Sequence, residues 1–188
     1  MRRNRLFRGE MPRQRTTLRQ IRVRARAGRV SEGWLAAGPL RLPVTLGASG
    51  IRADKREGDR ATPRGSFRLL RLWWRADRAP RPHTYLPVRR IGAADAWCED
   101  PRDRNYNRPI RLADAAAGDR LWRTDHLYDF LIELDHNTRP RVAGRGSAVF
   151  VHLARPGFRP TAGCVALAPA SFRRLLPRLG LHTRIVIG

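Results

Sequence analysis

Two residues near the carboxyl end of the chain, His152 and Cys164, have the types and spacing of a catalytic pair. His152 lies in an apolar run at residues 148–153, and a short segment containing Pro and Gly leads from it to Gly163 and Cys164. Two strand ends joined in this way can bring an imidazole within hydrogen-bond reach of a thiol. A neighbouring histidine raises the thiolate fraction at neutral pH. The pattern predicts Cys164 as a nucleophile and His152 as its base. Gly163 lets the backbone approach a substrate carbonyl, so main-chain N–H groups near Cys164 can bind an oxyanion.

The same spacing also fits a structural alternative, in which His152 is a hydrogen-bonded strand residue and Cys164 is a small core side chain. The chain has two cysteines, Cys98 and Cys164, and neither belongs to a CxxC pair or a His-rich cluster. Zinc ligands usually come in such clusters, so no metal site and no cofactor is predicted. Because a nucleophilic thiol must stay reduced, we expect both cysteines to be free.

Length and composition are those of one folded domain. A chain of 188 residues with 41% hydrophobic residues can build a single core. Residues 1–16 are Arg-rich with few large apolar side chains, so we predict a mobile basic arm followed by one catalytic domain at residues 17–188. No apolar run approaches the length of a membrane span, and no export signal is visible at the start of the chain. We expect a monomer.

The chain is strongly basic, with 39 Lys and Arg residues against 16 Asp and Glu and a formal net charge of +23. This excess predicts attraction to polyanions, which include nucleic acid, anionic lipid and a carboxylate-rich wall polymer. Charge alone does not choose among them, so a module that binds an anionic polymer remains an alternative to an enzyme. Such a module would lose affinity steeply with salt and would not depend on Cys164. We expect no specific nucleic-acid partner.

Short apolar runs with a period of two, interrupted by Gly and Pro, predict a mainly β fold, a sandwich or squashed barrel with one or few short helices. The best helix candidate is residues 169–179, where Pro169 suits the first turn and Gly180 the carboxyl-terminal cap. Residues 93–112 show little periodicity and are predicted as a long functional loop. Strands near the catalytic pair are predicted at residues 66–73, 128–135, 148–153, 165–167 and 183–187.

Three motifs occur in a characteristic order. The chain contains EGD at residues 57–59, TPRGSF at residues 62–67, and His152 followed by TAGCV at residues 161–165. Together they resemble the YkuD-type L,D-transpeptidase catalytic domain, whose signature is a histidine followed by Ser or Thr, any residue, Gly and Cys, downstream of an EGD and TPxGxF segment. The resemblance covers about residues 30–188. It implies a β-rich domain acting on peptidoglycan stem peptides, and hence a location in the periplasm or cell wall.

The resemblance also implies a role for each residue of this segment. Cys164 attacks a carbonyl of a stem peptide and forms a thioester, and His152 is the general base that later protonates the leaving amine. The amine of a neighbouring stem resolves the thioester and makes a cross-link. Gly163 supplies an oxyanion contact, and Thr161 either orders the loop or is a simple turn residue. Resolution by water, giving an L,D-carboxypeptidase, is not distinguished by the sequence.

One position departs from the family pattern. Ala166 stands where many members carry arginine, so a substrate carboxylate must be anchored from elsewhere. Arg155 and Arg159, between the two catalytic residues, are candidates, and so are His126 and Tyr128, which are predicted to share one strand face. Residues of the predicted long loop line the same cleft or serve as scaffold: Trp97, Asn105, Tyr106 and Asn107.

The segments GSAVFVH, TAGCVAL and WCEDP are similar to a proteobacterial branch of the family. For some members of that branch the resemblance implies an acyl donor at L-Ala, the first residue of the stem. The missing arginine at Ala166 fits a donor of a different kind. A 1,3-type cross-link is therefore predicted as a refinement of the substrate.

Overall fold

The computed structural model describes residues 17–112 and 118–188, so the predicted arm at residues 1–16 lies outside the described residues. Within that part of the chain, no helix has the length and apolar character needed to cross a membrane. The described residues contain one α-helix, α1 (Pro169–Leu175). In chain order the strands are β1 (Gln20–Arg26), β2 (Arg29–Ala37), β3 (Leu40–Thr45), β4 (Ile51–Arg52), β5 (Thr62–Pro63), β6 (Gly65–Trp74), β7 (Val88–Arg90), β8 (Asp95–Trp97), β9 (Pro109–Arg111), β10 (Asp119–Arg120), β11 (Phe130–Leu134), β12 (Phe150–Leu153), β13 (Val165–Leu167) and β14 (Arg184–Ile187).

Eight strands form a closed, barrel-like sheet around the main core. Their order is β11-β12-β13-β3-β2-β1-β14-β6, and β6 also pairs with β11, which closes the ring. β7 adds to β6, and a separate small sheet has the order β10-β8-β9. The predicted mainly β fold with one short helix is therefore confirmed.

Strand alternation separates the barrel interior from its outer surface. In β1, Ile21 and Val23 are buried, whereas Arg22 and Arg24 are exposed, as a strand with one face on a core requires. Apolar residues from the barrel strands and from α1 fill the interior as one contiguous cluster. Burial of this apolar surface, at roughly 25 cal/mol per Å², is the main force that holds the barrel together.

A second apolar cluster lies outside the barrel, over β11 and β12. Phe150, which alternates with the interior Val151, packs edge-on against Trp97 at a ring-centroid distance of 5.0 Å and against Tyr128 at 6.1 Å. Trp97 belongs to β8, and β9 begins at Pro109, twelve residues later. The loop prediction for residues 93–112 is therefore wrong in part, because strands of three residues are too short to show a period of two.

Two predicted elements have different bounds in the structure. The helix ends at Leu175 and continues as a 3-10 turn, Leu176–Arg178, because Pro177 has no N–H for a further helical hydrogen bond. Residues 126–128 bend instead of extending, and His126 has a φ of 63°. His126 and Tyr128 therefore do not share a strand face, and that prediction is wrong.

Candidate active site

A cleft of about 580 Å³ opens on the outer surface of the barrel, where β12 and β13 run side by side. Both Cys164 and His152 line it. The lining carries charges of both signs, so it is suited to a ligand that is itself zwitterionic or multiply charged. The charged lining residues are Lys55, Glu57, Arg60, Glu99, Asp119, Arg123, Arg155 and Arg159.

Strand pairing places the nucleophile and base candidates on one surface. In the parallel pairing of β12 with β13, His152 lies opposite Ala166. Cys164 precedes Ala166 by two residues, and side chains two apart point to the same face of a sheet. The N–H of Phe150, two residues before His152, donates to Cys164 Sγ at 3.4 Å, which fixes the alignment. Cys164, which directly precedes β13, and His152 of β12 are thus diagonal neighbours, one pleat apart.

The Cys164 thiol is buried and is held by two main-chain groups. Its Sγ accepts from the N–H of Phe150 at 3.4 Å and donates to the carbonyl of Ala148 at 3.2 Å. Burial raises the pKa of Cys164 to about 12, against a smaller lowering by the hydrogen bond from Phe150. At neutral pH the resting group is therefore a neutral thiol and not a preformed thiolate.

The His152 ring is oriented by its own strand. Nδ1 lies 2.8 Å from the carbonyl of Leu153, which can only accept, so Nδ1 carries the proton and Nε2 is the basic nitrogen of the neutral ring. The ring also packs edge-on against Tyr128 at a centroid distance of 5.4 Å. Burial lowers the pKa of His152 to about 4, opposed by the hydrogen bond to Leu153 and assisted by the nearby Arg123 and Arg155. His152 is therefore neutral, and able to accept a proton, over the whole physiological pH range.

The turn before Cys164 is shaped by threonines from two distant motifs. Thr161 Oγ1 donates to the Cys164 carbonyl at 2.7 Å and accepts from the N–H of Gly163 at 3.1 Å. Thr62 Oγ1 accepts from the N–H of Gly47 at 2.8 Å and also lies within hydrogen-bond distance of the Cys164 carbonyl, at 3.4 Å. The TPRGSF segment therefore supports the same turn as the TAGCV segment. The two motifs lie about a hundred residues apart in the sequence, and this contact brings them together.

Gly163 occupies a position where other residues do not fit. Its φ is 144°, and an added Cβ would lie 2.9 Å from the carbonyl oxygen of Ala61. Its N–H already donates to Thr161, so of the two predicted oxyanion donors the N–H of Cys164 is the better candidate.

The EGD motif forms one wall of the cleft. Lys55, with 6% of its surface exposed, directs Nζ to Asp59 Oδ1 at 2.7 Å and to the Arg56 carbonyl at 2.6 Å. Glu57 Oε2 accepts from Ser147 Oγ at 2.8 Å and from the Tyr106 hydroxyl. Because Ser147 directly precedes Ala148, this wall is joined to the segment that holds the thiol.

The structure separates the predicted substrate-binding residues into two groups. The first group lines the cleft together with Cys164 and His152, and its members are Thr161, Arg155, Arg159 and Tyr128. The other residues do not line it. They are His126, Trp97, Asn105, Tyr106 and Asn107.

His126 and Asn107 show what the second group does instead. His126 is exposed and pairs with Asp129 at 2.8 Å. Asn107 is buried, and its Oδ1 accepts from Trp97 Nε1 at 3.0 Å and from the N–H of Ala148 at 3.2 Å. Asn107 thus fixes the residue whose carbonyl accepts from the thiol, and so supports the site from behind the cleft.

Asp119 and Arg123 also line the cleft but were not predicted from the sequence. Asp119 accepts from the Tyr128 hydroxyl at 2.6 Å and from Arg123 at 3.3 Å, while Arg123 also forms a two-point pair with Asp125. Burial raises the pKa of Asp119, and the bonds from Tyr128 and Arg123 oppose that rise. No motif marks these residues, although the alternation of acid and base in residues 119–125 was a usable signal.

Cys164 and His152 are both buried and line one cleft of the barrel-like fold, an arrangement that suits a cysteine nucleophile with a histidine base. A family model, the L,D-transpeptidase catalytic domain YkuD, matches residues 21–187. The match spans most of the 188 residues, and the chain therefore belongs to this family. The chain matches none of the curated proteins.

Proposed function

We propose that this protein is a peptidoglycan L,D-transpeptidase that cross-links stem peptides through a thioester on Cys164. The observation that carries the proposal is the diagonal placement of Cys164 and His152 in one cleft, with His152 Nδ1 bonded to the Leu153 carbonyl at 2.8 Å. That bond leaves Nε2 as the base. Family membership supplies the class of substrate.

In the first half of the reaction, Cys164 Sγ attacks a stem-peptide carbonyl while its proton passes to His152 Nε2. Proton transfer accompanies the attack, because the resting pair is neutral: burial holds the pKa of the thiol at about 12 and that of the imidazole at about 4. The tetrahedral intermediate collapses with cleavage of the C–N bond. The imidazolium then gives its proton to the leaving amine, and the acyl group remains on sulfur.

In the second half, the amine of another stem attacks the thioester carbonyl and loses a proton to His152 Nε2. The C–S bond breaks, and the imidazolium returns the proton to the departing sulfur, which restores the thiol. The N–H of Cys164 stabilises the oxyanion in both halves, since the N–H of Gly163 is engaged by Thr161 at 3.1 Å. Thr161 therefore acts by holding the turn.

Arg155 and Arg159 replace the family arginine as anchors for a substrate carboxylate. Both line the cleft, and both lie on the segment between the catalytic residues. Ala166 lies opposite His152 in the strand register, so the space taken in many members by an arginine is open here. An open space beside the base fits a donor centred on L-Ala at stem position one, which yields a 1,3-type cross-link.

The proposed cellular location and oligomeric state follow from the substrate and the cleft. A peptidoglycan cross-linking enzyme works in the periplasm or at the cell wall, and a monomer is sufficient because the described cleft contains both catalytic residues. The predicted basic arm at residues 1–16 would add attraction to the anionic wall.

Incubation with purified muropeptides, followed by mass spectrometry, tests the proposal. We expect a dimer whose mass equals the donor plus the acceptor minus the released amine fragment, and no product with Cys164→Ala. A trimmed monomer without dimer would identify a carboxypeptidase instead. Absence of any reaction in wild-type protein would overturn the enzymatic proposal and favour the binding-module alternative.

A further inference from the structure

A band of exposed arginines covers the outer face of five adjacent barrel strands. Strand register places Arg22 of β1 beside Ala36 of β2, which is beside Arg41 of β3. On the other side of β1, Gln20 pairs with Arg184 of β14, which pairs with Arg68 of β6. Paired residues in a sheet point to the same side, so these arginines share one surface.

Most arginines of this surface have no acidic partner. Among the residues that the structure describes, Arg22 is bonded to Gln20, Arg184 is bonded to Ser66, and neither has a carboxylate within 4.0 Å. Arg24 and Arg41 also form no ion pair in that part of the chain. Arg41 instead stacks over Trp34 at 4.8 Å.

A shallow groove of about 410 Å³ continues this surface at one edge. Arg24 and Arg64 line it together with Val30, Ser49 and Ile51, and no Asp or Glu side chain lines it. Val30 is 65% exposed, so the groove offers an apolar side chain as well as the guanidinium groups of Arg24 and Arg64. We call the surface formed by Arg22, Arg24, Arg41, Arg64 and Arg184 the arginine face.

The central strand of the arginine face, β1, lies on the side of the barrel away from the cleft. In the closed ring, three strands separate β1 from β12 in either direction: β2, β3 and β13 one way, and β14, β6 and β11 the other. A polymer bound along β1 therefore leaves the cleft beside Cys164 open. Binding at the face and turnover in the cleft are separable by experiment.

We propose that the arginine face is a docking surface for the carboxylate-bearing polymer of the cell wall, at a point distinct from the stem that reacts in the cleft. The inference rests on the proposed function. Peptidoglycan stems carry free carboxylates at regular intervals, and guanidinium groups with unpaired N–H donors bind carboxylates in a two-point geometry. Neighbouring arginines of a strand row lie roughly 5–10 Å apart, so several carboxylates of a flexible polymer can be bound at once.

The docking surface concentrates the enzyme on an intact wall. Small soluble substrates react in the cleft without binding to this surface. Exposed charges act over about 8–10 Å at physiological ionic strength, so the interaction is screened by added salt. A soluble muropeptide has too few carboxylates to span the face. We therefore expect loss of the face to reduce binding to insoluble wall without altering turnover in the cleft.

The test uses the full chain with four substitutions, Arg22→Gln, Arg24→Gln, Arg41→Gln and Arg184→Gln. The matched control removes the same charge from exposed arginines elsewhere, with substitutions at Arg104, Arg108, Arg173 and Arg174. Co-sedimentation with purified sacculi is measured across a series of NaCl concentrations. We expect the face variant to bind roughly tenfold more weakly and with a shallower salt dependence, and the control to bind within about twofold of wild type.

Two further measurements keep the outcomes distinct. A variant with Lys at the same four positions keeps the charge but not the two-point geometry, so it should bind more tightly than the Gln variant and less tightly than wild type. Thermal unfolding of both variants reports any damage to the sheet. Turnover of a soluble muropeptide should be equal in wild type, face variant and control. If wild type shows no turnover, the proposed function fails, whereas sacculus binding still decides the docking surface.

Equal losses of sacculus binding in the face variant and the control would overturn the proposal, since total charge alone would then explain binding. The same conclusion follows if the face variant keeps its affinity for sacculi but loses affinity for duplex DNA or for vesicles containing phosphatidylglycerol. Those two probes carry phosphates instead of carboxylates and serve as competing ligands in the same salt series.

Discussion

The cleft holds several of its cations in ion pairs, whereas the arginines of the arginine face have no ion pair within the described residues. In the cleft, Arg123 pairs with Asp119 and Asp125, and Lys55 pairs with Asp59, so these cations are held in place. On the arginine face, Arg22 and Arg24 have no carboxylate partner within the described residues. Fixed cations preserve the geometry of a reaction site, whereas unpaired exposed cations remain available to an external anion.

The two regions also differ in how the chain builds them. The arginine face arises from strands that are neighbours in the sheet, and its side chains follow from simple alternation. The cleft gathers Glu99 and segments within residues 55–60, 119–128, 147–152 and 155–166, which are far apart in sequence. We expect substitutions in the cleft to affect chemistry sharply and substitutions on the face to affect wall binding gradually.

The largest expected effect is at Cys164. Cys164→Ala should abolish turnover of soluble muropeptides, because no other group in the cleft replaces the sulfur, while sacculus binding stays at the wild-type level. Folding should persist, since a buried thiol is exchanged for a slightly smaller methyl group. Steady-state kinetics and thermal unfolding measure the two properties. Cys98→Ser is the matched control and should keep its activity; retention of more than about one hundredth of the activity in Cys164→Ala would rule out the cysteine mechanism.

A smaller but still large effect is expected at His152. His152→Asn should slow formation of the acyl-enzyme by roughly a hundredfold or more, because general-base assistance is typically of that size. Single-turnover intact-mass measurements follow the adduct on Cys164. A normal acylation rate in this variant would remove His152 from the mechanism.

The pH dependence of the wild-type enzyme checks the same residue. Burial lowers the pKa of His152 to about 4, so the ring keeps its basic form down to that pH and loses it as the pH falls further. The acid limb of kcat/KM should therefore lie near pH 4 and not near 6.5. An acid limb at 6–7 that disappears in His152→Asn would show that the imidazole titrates as an exposed group.

Gly163→Ala should reduce kcat by roughly tenfold or more with a modest change in stability. The added Cβ would lie 2.9 Å from the Ala61 carbonyl oxygen, in a backbone conformation that alanine rarely adopts, and would displace the turn that holds Cys164. Gly157→Ala is the control, because Gly157 also has a positive φ of 75° but no atom within 4 Å of the added Cβ. Equal effects of the two substitutions on kcat would mean that backbone strain alone, and not the contact with Ala61, is responsible.

The smallest effect in the cleft is expected from its exposed arginines. Replacing Arg155 and Arg159 together by Ala should raise KM for a soluble muropeptide about tenfold with little change in kcat, since these side chains bind a carboxylate that does not react. Wall binding should change no more than with the matched control of the arginine face. Unchanged steady-state constants would place the anchor elsewhere, with Arg123 and Arg60 as the next residues to test.

Prediction from sequence succeeded where local patterns carry the information. The alternation of Ile21 and Val23 with arginines indicated a strand, and the His152 and TAGCV segments marked two residues that the structure places in one cleft. The prediction of a strand at His126 was wrong, because His126 itself has a φ of 63°, which interrupts the strand. The residue types around it give no sign of this bend. Prediction from sequence also missed β8 and β9, because the pairing of such short strands depends on packing over β11 and β12.

The sequence by itself determined the class of the protein, the residue types needed for acyl transfer and the excess of positive charge. Strand alternation and the three motifs are local, so they can be read without coordinates. Only the tertiary structure decided which polar residues share a cleft with Cys164, that Asn107 supports the thiol from behind, and that the unpaired arginines of β1 lie three strands from β12 in either direction. Such contacts depend on strand register and barrel closure, which bring together residues a hundred positions apart. They produce no periodic pattern in the sequence from which they could be predicted.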